Sequence, residues 1–127
     1  MQIHQSAEDY LETILILKER KGMVRSIDIA NELQFTKASV SVAMKKLREN
    51  GYAEMDPEGF ITLTKAGMEV ASRIYDRHKL LTEFFVRLGV SEKTAAEDAC
   101  RIEHDISEET FEKLLAHARK NGGGKAE

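Results

Sequence analysis

Tryptophan is absent from this chain of 127 residues, proline and cysteine occur once each, and aromatic residues make up only 6%. With so few aromatics the core must be mostly aliphatic. A single cysteine, Cys100, cannot close an internal disulfide, which fits a reducing, cytoplasmic setting. No apolar run approaches the roughly 20 residues that a membrane-spanning helix needs. The opening Met-Gln-Ile-His-Gln-Ser has no basic patch followed by an apolar stretch, so no signal peptide is expected.

What is present is ordinary globular composition, 42% hydrophobic and 32% charged, rather than that of a disordered chain. The length suits one compact core, or a small domain with an appended helical module. The net charge of −3 is unevenly placed. Between residues 20 and 50, Arg20, Lys21, Arg25, Lys37, Lys45, Lys46 and Arg48 face only Asp28, Glu32 and Glu49, a local +4 against −7 for the remainder. A basic patch on an acidic body can bind a phosphate backbone.

The segments follow a readable order. Ser6, with Glu8 and Asp9 behind it, reads as the capped start of a helix whose apolar rhythm runs to Lys21-Gly22, with acids complementing the dipole. Ser26 is expected to cap a short helix through Leu33. Thr36 is expected to cap a third helix running to Asn50, which Gly51 stops. Two short helices joined by a brief turn make a helix-turn-helix. Strand candidates at 52–55 and 60–63 flank Asp56-Pro57-Glu58-Gly59, a sequence with turn chemistry, and predict a hairpin wing. From Thr64 the pattern is helical: one long helix to about Gly89, another from Ser91 to about His104, and a last from Ser107 to about Arg119. The predicted fold is mainly α, a winged helix-turn-helix DNA-binding domain (1–70) followed by an all-helical dimerisation domain (71–120). Residues 121–127 are expected to form a flexible tail.

In such a fold the first residues of the second helix of the pair reach base edges in the major groove. Here these are Thr36, Lys37, Ala38 and Ser39, with Ser41 and Val42 one turn on. Hydroxyls serve bases or phosphates, and Ala or Val can touch a thymine methyl. Arg25, Lys45, Lys46 and Arg48 read as phosphate contacts, which set register. Against the bland reading, that these lysines only solvate a helix face, stands the wing behind them. One reading head binds weakly, so a homodimer on double-stranded DNA is expected, formed through residues 91–120. Ala95, Ala96 and Ala99 are small enough for close helix approach, and Ile106, Phe111, Leu114 and Leu115 are apolar.

A second constellation carries different chemistry. Cys100, Glu103 and His104 stand at i, i+3 and i+4 and are expected on one helical face. His78 falls in the apolar stripe of the long helix, and Asp9 and Glu12 form an i, i+3 pair. Each has a bland alternative: a core histidine, an inert buried cysteine, a dipole-complementing acidic pair. Thiolate, carboxylate and imidazole together suit a transition metal better than calcium or magnesium.

These blocks resemble the diphtheria toxin repressor family of metal-dependent regulators, and in length its manganese transport regulator branch. The resemblance rests on Ser6-Ala-Glu-Asp-Tyr-Leu-Glu-Thr-Ile14, Asp28-Ile-Ala-Asn-Glu-Leu33, Arg77-His-Lys-Leu-Leu81 and, most specifically, Ala99-Cys-Arg-Ile-Glu-His-Asp-Ile-Ser107. It implies a winged-helix domain and a helical dimerisation domain with metal bound between them, the ligands being Asp9, Cys100, Glu103 and His104, joined by His78 and Glu12. The set is a hybrid. Cys100 stands where the manganese branch has a carboxylate, and Asp9 where the iron-responsive branch has methionine. Thr82 and Ala96 occupy positions where the iron branch has ancillary ligands, and Glu83 and Glu97 are one residue off, turned by about 100° on a helix. A two-metal cluster through Glu12 and His78 stays open.

The expected function is therefore a metal-dependent transcriptional regulator, a repressor by family norm, of metal-homeostasis genes, responding to Fe(II) or Mn(II). Zn(II) or Co(II) could occupy the site in a preparation. Donors from distant segments meet only in one orientation of the two halves, so metal would shift the population toward it. A differential of roughly 5.5 kcal/mol moves such an equilibrium from 1:99 to 99:1. Affinity should fall with pH, because Cys100 and His104 must lose protons to coordinate. The alternative is a winged-helix regulator that needs no metal. An enzyme is not expected, since no further nucleophile or phosphate loop accompanies the cluster.

Overall fold

The computed structural model describes residues 5–120, so the expected tail at 121–127 lies outside the described residues. They form six helices and one two-stranded sheet: α1 (Gln5–Lys21), α2 (Ser26–Leu33), α3 (Lys37–Glu49), β1 (Ala53–Met55), β2 (Ile61–Leu63), α4 (Lys65–Arg87), α5 (Glu92–Ile102) and α6 (Glu108–Lys120). Two compact units divide at Arg73/Ile74, within α4.

In the first unit, α2 packs on α1 and α3, and α3 abuts β1. Val40, Met44 and Leu47, at helical spacing on α3, are buried, as are Leu11 and Ile14 of α1 and Ile29 of α2. Removing such aliphatic side chains from water contributes roughly 1.5–3 kcal/mol each, which locks α3 by its inner stripe and leaves the opposite stripe in solvent. The strands pair antiparallel, Ala53 opposite Leu63 and Met55 opposite Ile61. Arg25 forms an isolated bridge to Phe60, and the Ile61 N–H donates to the Val24 carbonyl at 2.7 Å. The wing is thereby tied to the segment that precedes α2.

The helix ends have specific causes. Thr36 caps α3 as expected, its hydroxyl accepting from the Ser39 N–H at 3.1 Å. Gly51, just past the helix, takes φ +81°, a conformation that glycine adopts without steric cost. Two predicted caps are shifted. Ser6 lies inside α1, which starts at Gln5, and Ser26 is the first residue of α2 with Arg25 as its cap. At α2 the Asp28 carboxylate replaces the serine, accepting from the Arg25 N–H at 2.9 Å. Thr64 starts α4 by accepting from the Gly67 N–H at 3.1 Å and donating to the Gly51 carbonyl at 2.6 Å. A Cβ on Gly67 would overlap the Tyr52 carbonyl oxygen, so the start of α4 lies against the chain entering β1 only because that residue is glycine.

In the second unit, Ile74, Leu81, Ala95, Ala99, Phe111 and Ala118 are buried. Ser91 caps α5 and the Ser107 hydroxyl caps α6 by accepting from the Thr110 N–H at 3.1 Å. The expected roles of Ala95, Ala99 and Phe111 in dimer contact need correction: all three are interior to the single chain, whereas Ala96, Ile106, Leu114 and Leu115 are half-buried. Small size let Ala95 and Ala99 approach their own chain's interior rather than a partner's helix. Among the described residues no helix is long and apolar enough to cross a membrane.

Candidate metal centre and DNA-reading surface

On the first unit the sequence-predicted DNA contacts share one property. Arg25, Thr36, Lys37, Ala38, Ser39, Ser41, Val42, Lys45 and Lys46 are all exposed. Val42 keeps 57% of its surface in solvent, an exposed apolar group of the kind that can touch a thymine methyl. The Thr36 hydroxyl is engaged with Ser39, both as cap and through a 3.0 Å bond to its Oγ.

Ion pairs refine the basic patch. Lys21 Nζ lies 2.6 Å from Asp28 Oδ1, and Arg20 lies 3.1 Å from Glu32. Two of the seven cations thus neutralise the two acids of α2, and the excess charge concentrates on α3 and Arg25. The Arg25 guanidinium sits 4.2 Å from the centroid of the Phe60 ring. The wing therefore holds that arginine by its aromatic face, a contact the sequence did not single out. The Lys21 hydrogen bond, helped by the Arg25 N–H, holds the Asp28 carboxyl below its ordinary pKa.

The metal-type residues fall in both units. On α1, Asp9 is half-buried and Glu12 buried, and they offer carboxylate oxygens within 4.8 Å of each other, as one helical turn requires. In the second unit, Glu103 is fully buried. One of its oxygens lies 2.9 Å from His78 Nδ1 and the other 3.3 Å from His104 Nε2. One carboxylate thus faces two imidazoles, a nitrogen–oxygen donor set that fits a divalent transition ion.

The helical face predicted for Cys100, Glu103 and His104 needs correction. Only Cys100 lies within α5, which ends at Ile102; Glu103 is the cap and His104 follows in a turn. Cys100 is exposed while the His104 side chain is 2% exposed.

Arg77, the neighbour of His78, carries no sequence signal of its own beyond its place in the Arg77-His-Lys-Leu-Leu81 block. It is buried, and donates to the carbonyls of Glu103 at 3.0 Å and Ile106 at 2.9 Å and to the Glu108 carboxylate at 2.8 Å. Its acceptors lie 26 to 31 residues away, beyond the reach of any local pattern.

Comparison with known proteins bears on both surfaces. Residues 2–60 match the family described as iron dependent repressor, N-terminal DNA binding domain, and residues 64–120 match its metal binding and dimerisation domain. An uncharacterized HTH-type transcriptional regulator of Methanocaldococcus jannaschii is 43% identical over 118 residues, covering 91% of this chain and 94% of the relative. The transcriptional regulator MntR of Salmonella typhimurium is 33% identical over 115 residues, covering 91% of this chain and 73% of the relative. The structure of the manganese regulator SloR matches with TM-score 0.78 and 29% identity over 94% of this chain. The chain spans 55% of the length of that structure. With exposed reading helix and wing on one unit, carboxylate and imidazoles gathered in the other, and both family domains matched in order, the chain belongs to the iron-dependent (diphtheria toxin) repressor family of metal-dependent, DNA-binding transcriptional regulators.

Proposed function

We propose that this chain is a homodimeric repressor of metal-homeostasis genes that binds its operator in response to Fe(II) or Mn(II). The observation that carries the reading is the buried Glu103 carboxylate with an imidazole at each oxygen, His78 at 2.9 Å and His104 at 3.3 Å. A fully buried carboxylate is costly unless its charge is met, and a divalent cation meets it with donors of the right kind. The proposed ligands are Asp9, Glu12, His78, Cys100, Glu103 and His104. Coordination would cancel repulsion among the carboxylates. The similarity to a manganese regulator of known structure favours Mn(II), while the thiol of Cys100 favours a softer ion such as Fe(II).

Dimerisation through residues 91–120 is proposed with Ala96, Ile106, Leu114 and Leu115 as the apolar candidates. Anaerobic titration with Mn(II) and Fe(II), with sedimentation of the same samples, tests the reading. The expected result is stoichiometric metal on a dimer, with a lower dissociation constant for the physiological ion. A monomer that takes up neither ion contradicts it.

A further inference from the structure

We infer that Arg77 is a positioning residue for the metal-binding turn, holding the main chain that presents Glu103 and His104. The inference rests on the metal reading of those two residues.

The need for such a residue follows from where the turn lies. The last carbonyls of a helix have no intrahelical partners, and α5 ends at Ile102, immediately before the residues that matter. Part of the turn closes itself, the Asp105 N–H donating to the Ile102 carbonyl at 2.9 Å. The Glu103 and Ile106 carbonyls, at the two ends of the turn, instead accept from one atom, Nη1 of Arg77, at 3.0 and 2.9 Å. The other terminal nitrogen, Nη2, reaches the Glu108 carboxylate in the first turn of α6 at 2.8 Å. The Phe111 ring lies 5.3 Å from the guanidinium carbon. One planar cation thus fixes the end of α5, the turn and the start of α6 relative to α4.

His78, the next residue on α4, faces the Glu103 side chain at 2.9 Å. Residue 103 is therefore held twice from α4, by its carbonyl through Arg77 and by its carboxylate through His78. Neither contact alone fixes both the position and the direction of the carboxylate. Lysine cannot replace Arg77, because an ammonium is a point charge without the flat, forked donor array that reaches both carbonyls and the carboxylate. Partners that orient metal ligands are worth about 10–100-fold in metal affinity.

The test is the Mn(II) dissociation constant of wild type, Arg77→Lys, Glu108→Ala and His104→Ala, by competition with a fluorescent chelator. The ligand-field spectrum of each Co(II)-loaded protein is recorded alongside, at a temperature where circular dichroism shows the helices intact. Arg77→Lys is expected to weaken Mn(II) binding by about 10–100-fold and to alter the Co(II) spectrum. Folded Arg77→Lys with wild-type affinity and spectrum overturns the inference, whatever its loss of thermal stability. Should Arg77→Lys not fold, Glu108→Ala decides. It removes an exposed acceptor and should weaken binding by roughly two- to fivefold, a fraction of the full effect; unchanged affinity overturns the inference. His104→Ala separates the two claims. If it binds Mn(II) as tightly as wild type, the metal reading itself fails. If it loses binding while Arg77→Lys does not, only the role of Arg77 fails.

Discussion

His78 Nδ1 and Glu103 Oε1 lie 2.9 Å apart although 25 residues separate them in the chain. An imidazole and a carboxylate at this distance can share a proton or a metal ion, and the two readings give opposite results for one substitution. Glu103→Gln keeps the shape and a hydrogen-bonding oxygen but removes the charge. It should lower Mn(II) affinity by more than the roughly 10–100-fold typical of a merely orienting partner, with helicity retained by circular dichroism. Wild-type Mn(II) affinity in the Glu103→Gln protein would make the pair a structural hydrogen bond only.

The contact of Arg25 with Phe60, 4.2 Å from ring centroid to guanidinium, would give the wing an indirect role in DNA binding through the phosphate contact expected of Arg25. A cation–π contact at an exposed site is worth about 0.5–1 kcal/mol. Phe60→Leu should thus weaken DNA binding by roughly two- to fivefold at fixed salt, on the rule that 1.4 kcal/mol is tenfold. Arg25→Ala should lower the slope of log affinity against log salt by about 1. An unchanged slope would remove Arg25 from the phosphate contacts.

Gln34 sits between α2 and α3 with φ +59°, so the turn that aims the reading helix is left-handed at a residue with a side chain. That conformation costs an L-residue roughly 1–2 kcal/mol, more than the roughly 0.5–1 kcal/mol of extra backbone entropy glycine loses. Gln34→Gly should therefore raise unfolding free energy by roughly 0.5–1 kcal/mol, read as a higher Tm. A lower Tm would mean that the glutamine side chain itself stabilises the turn.

Asp28 contributes to the acid sensitivity of the helix-turn-helix. Its carboxyl is held below the ordinary value, first by the Lys21 hydrogen bond and then by the Arg25 N–H. A lowered folded-state pKa stabilises fully above the unfolded value, about 3.9, and the contribution is lost as pH falls through the folded value. Asp28→Asn keeps the accepting oxygen but loses the charge facing Lys21, and should cost up to about 1 kcal/mol at pH 7. Denaturation curves should then show the gap between variant and wild type shrinking below about pH 4. A gap independent of pH would contradict the assignment.

What the sequence disclosed depended on range. The cap at Thr36, the stop at Gly51 and the hairpin around Pro57-Glu58-Gly59 are settled by residues a few positions apart, and they stand where local chemistry placed them. Ser6 lies inside α1 and Ser26 missed its cap position by one residue, since serine is also acceptable in a first turn, and at α2 Asp28 supplied the oxygen instead. Helical spacing carried Cys100, Glu103 and His104 onto one face, but the end of α5 at Ile102 lies between the first and the other two. Nothing local announces that end. It is held by Arg77, whose partners are distant in sequence. The alanines of α5 show the same limit, since small size predicts close approach without saying to what.

The central claim, that metal binding at Glu103 and its neighbours governs DNA binding, is tested most directly by one titration. A duplex selected by the protein from a random pool in the presence of Mn(II) is labelled. Its binding is then followed by anisotropy, anaerobically, against protein stripped of metal and reloaded with Mn(II) or Fe(II). Wild type should gain about 5–150-fold in DNA affinity on loading, the usual range of coupling between sites, and His104→Ala should gain nothing. Equal affinity of stripped and loaded wild-type protein would contradict the account.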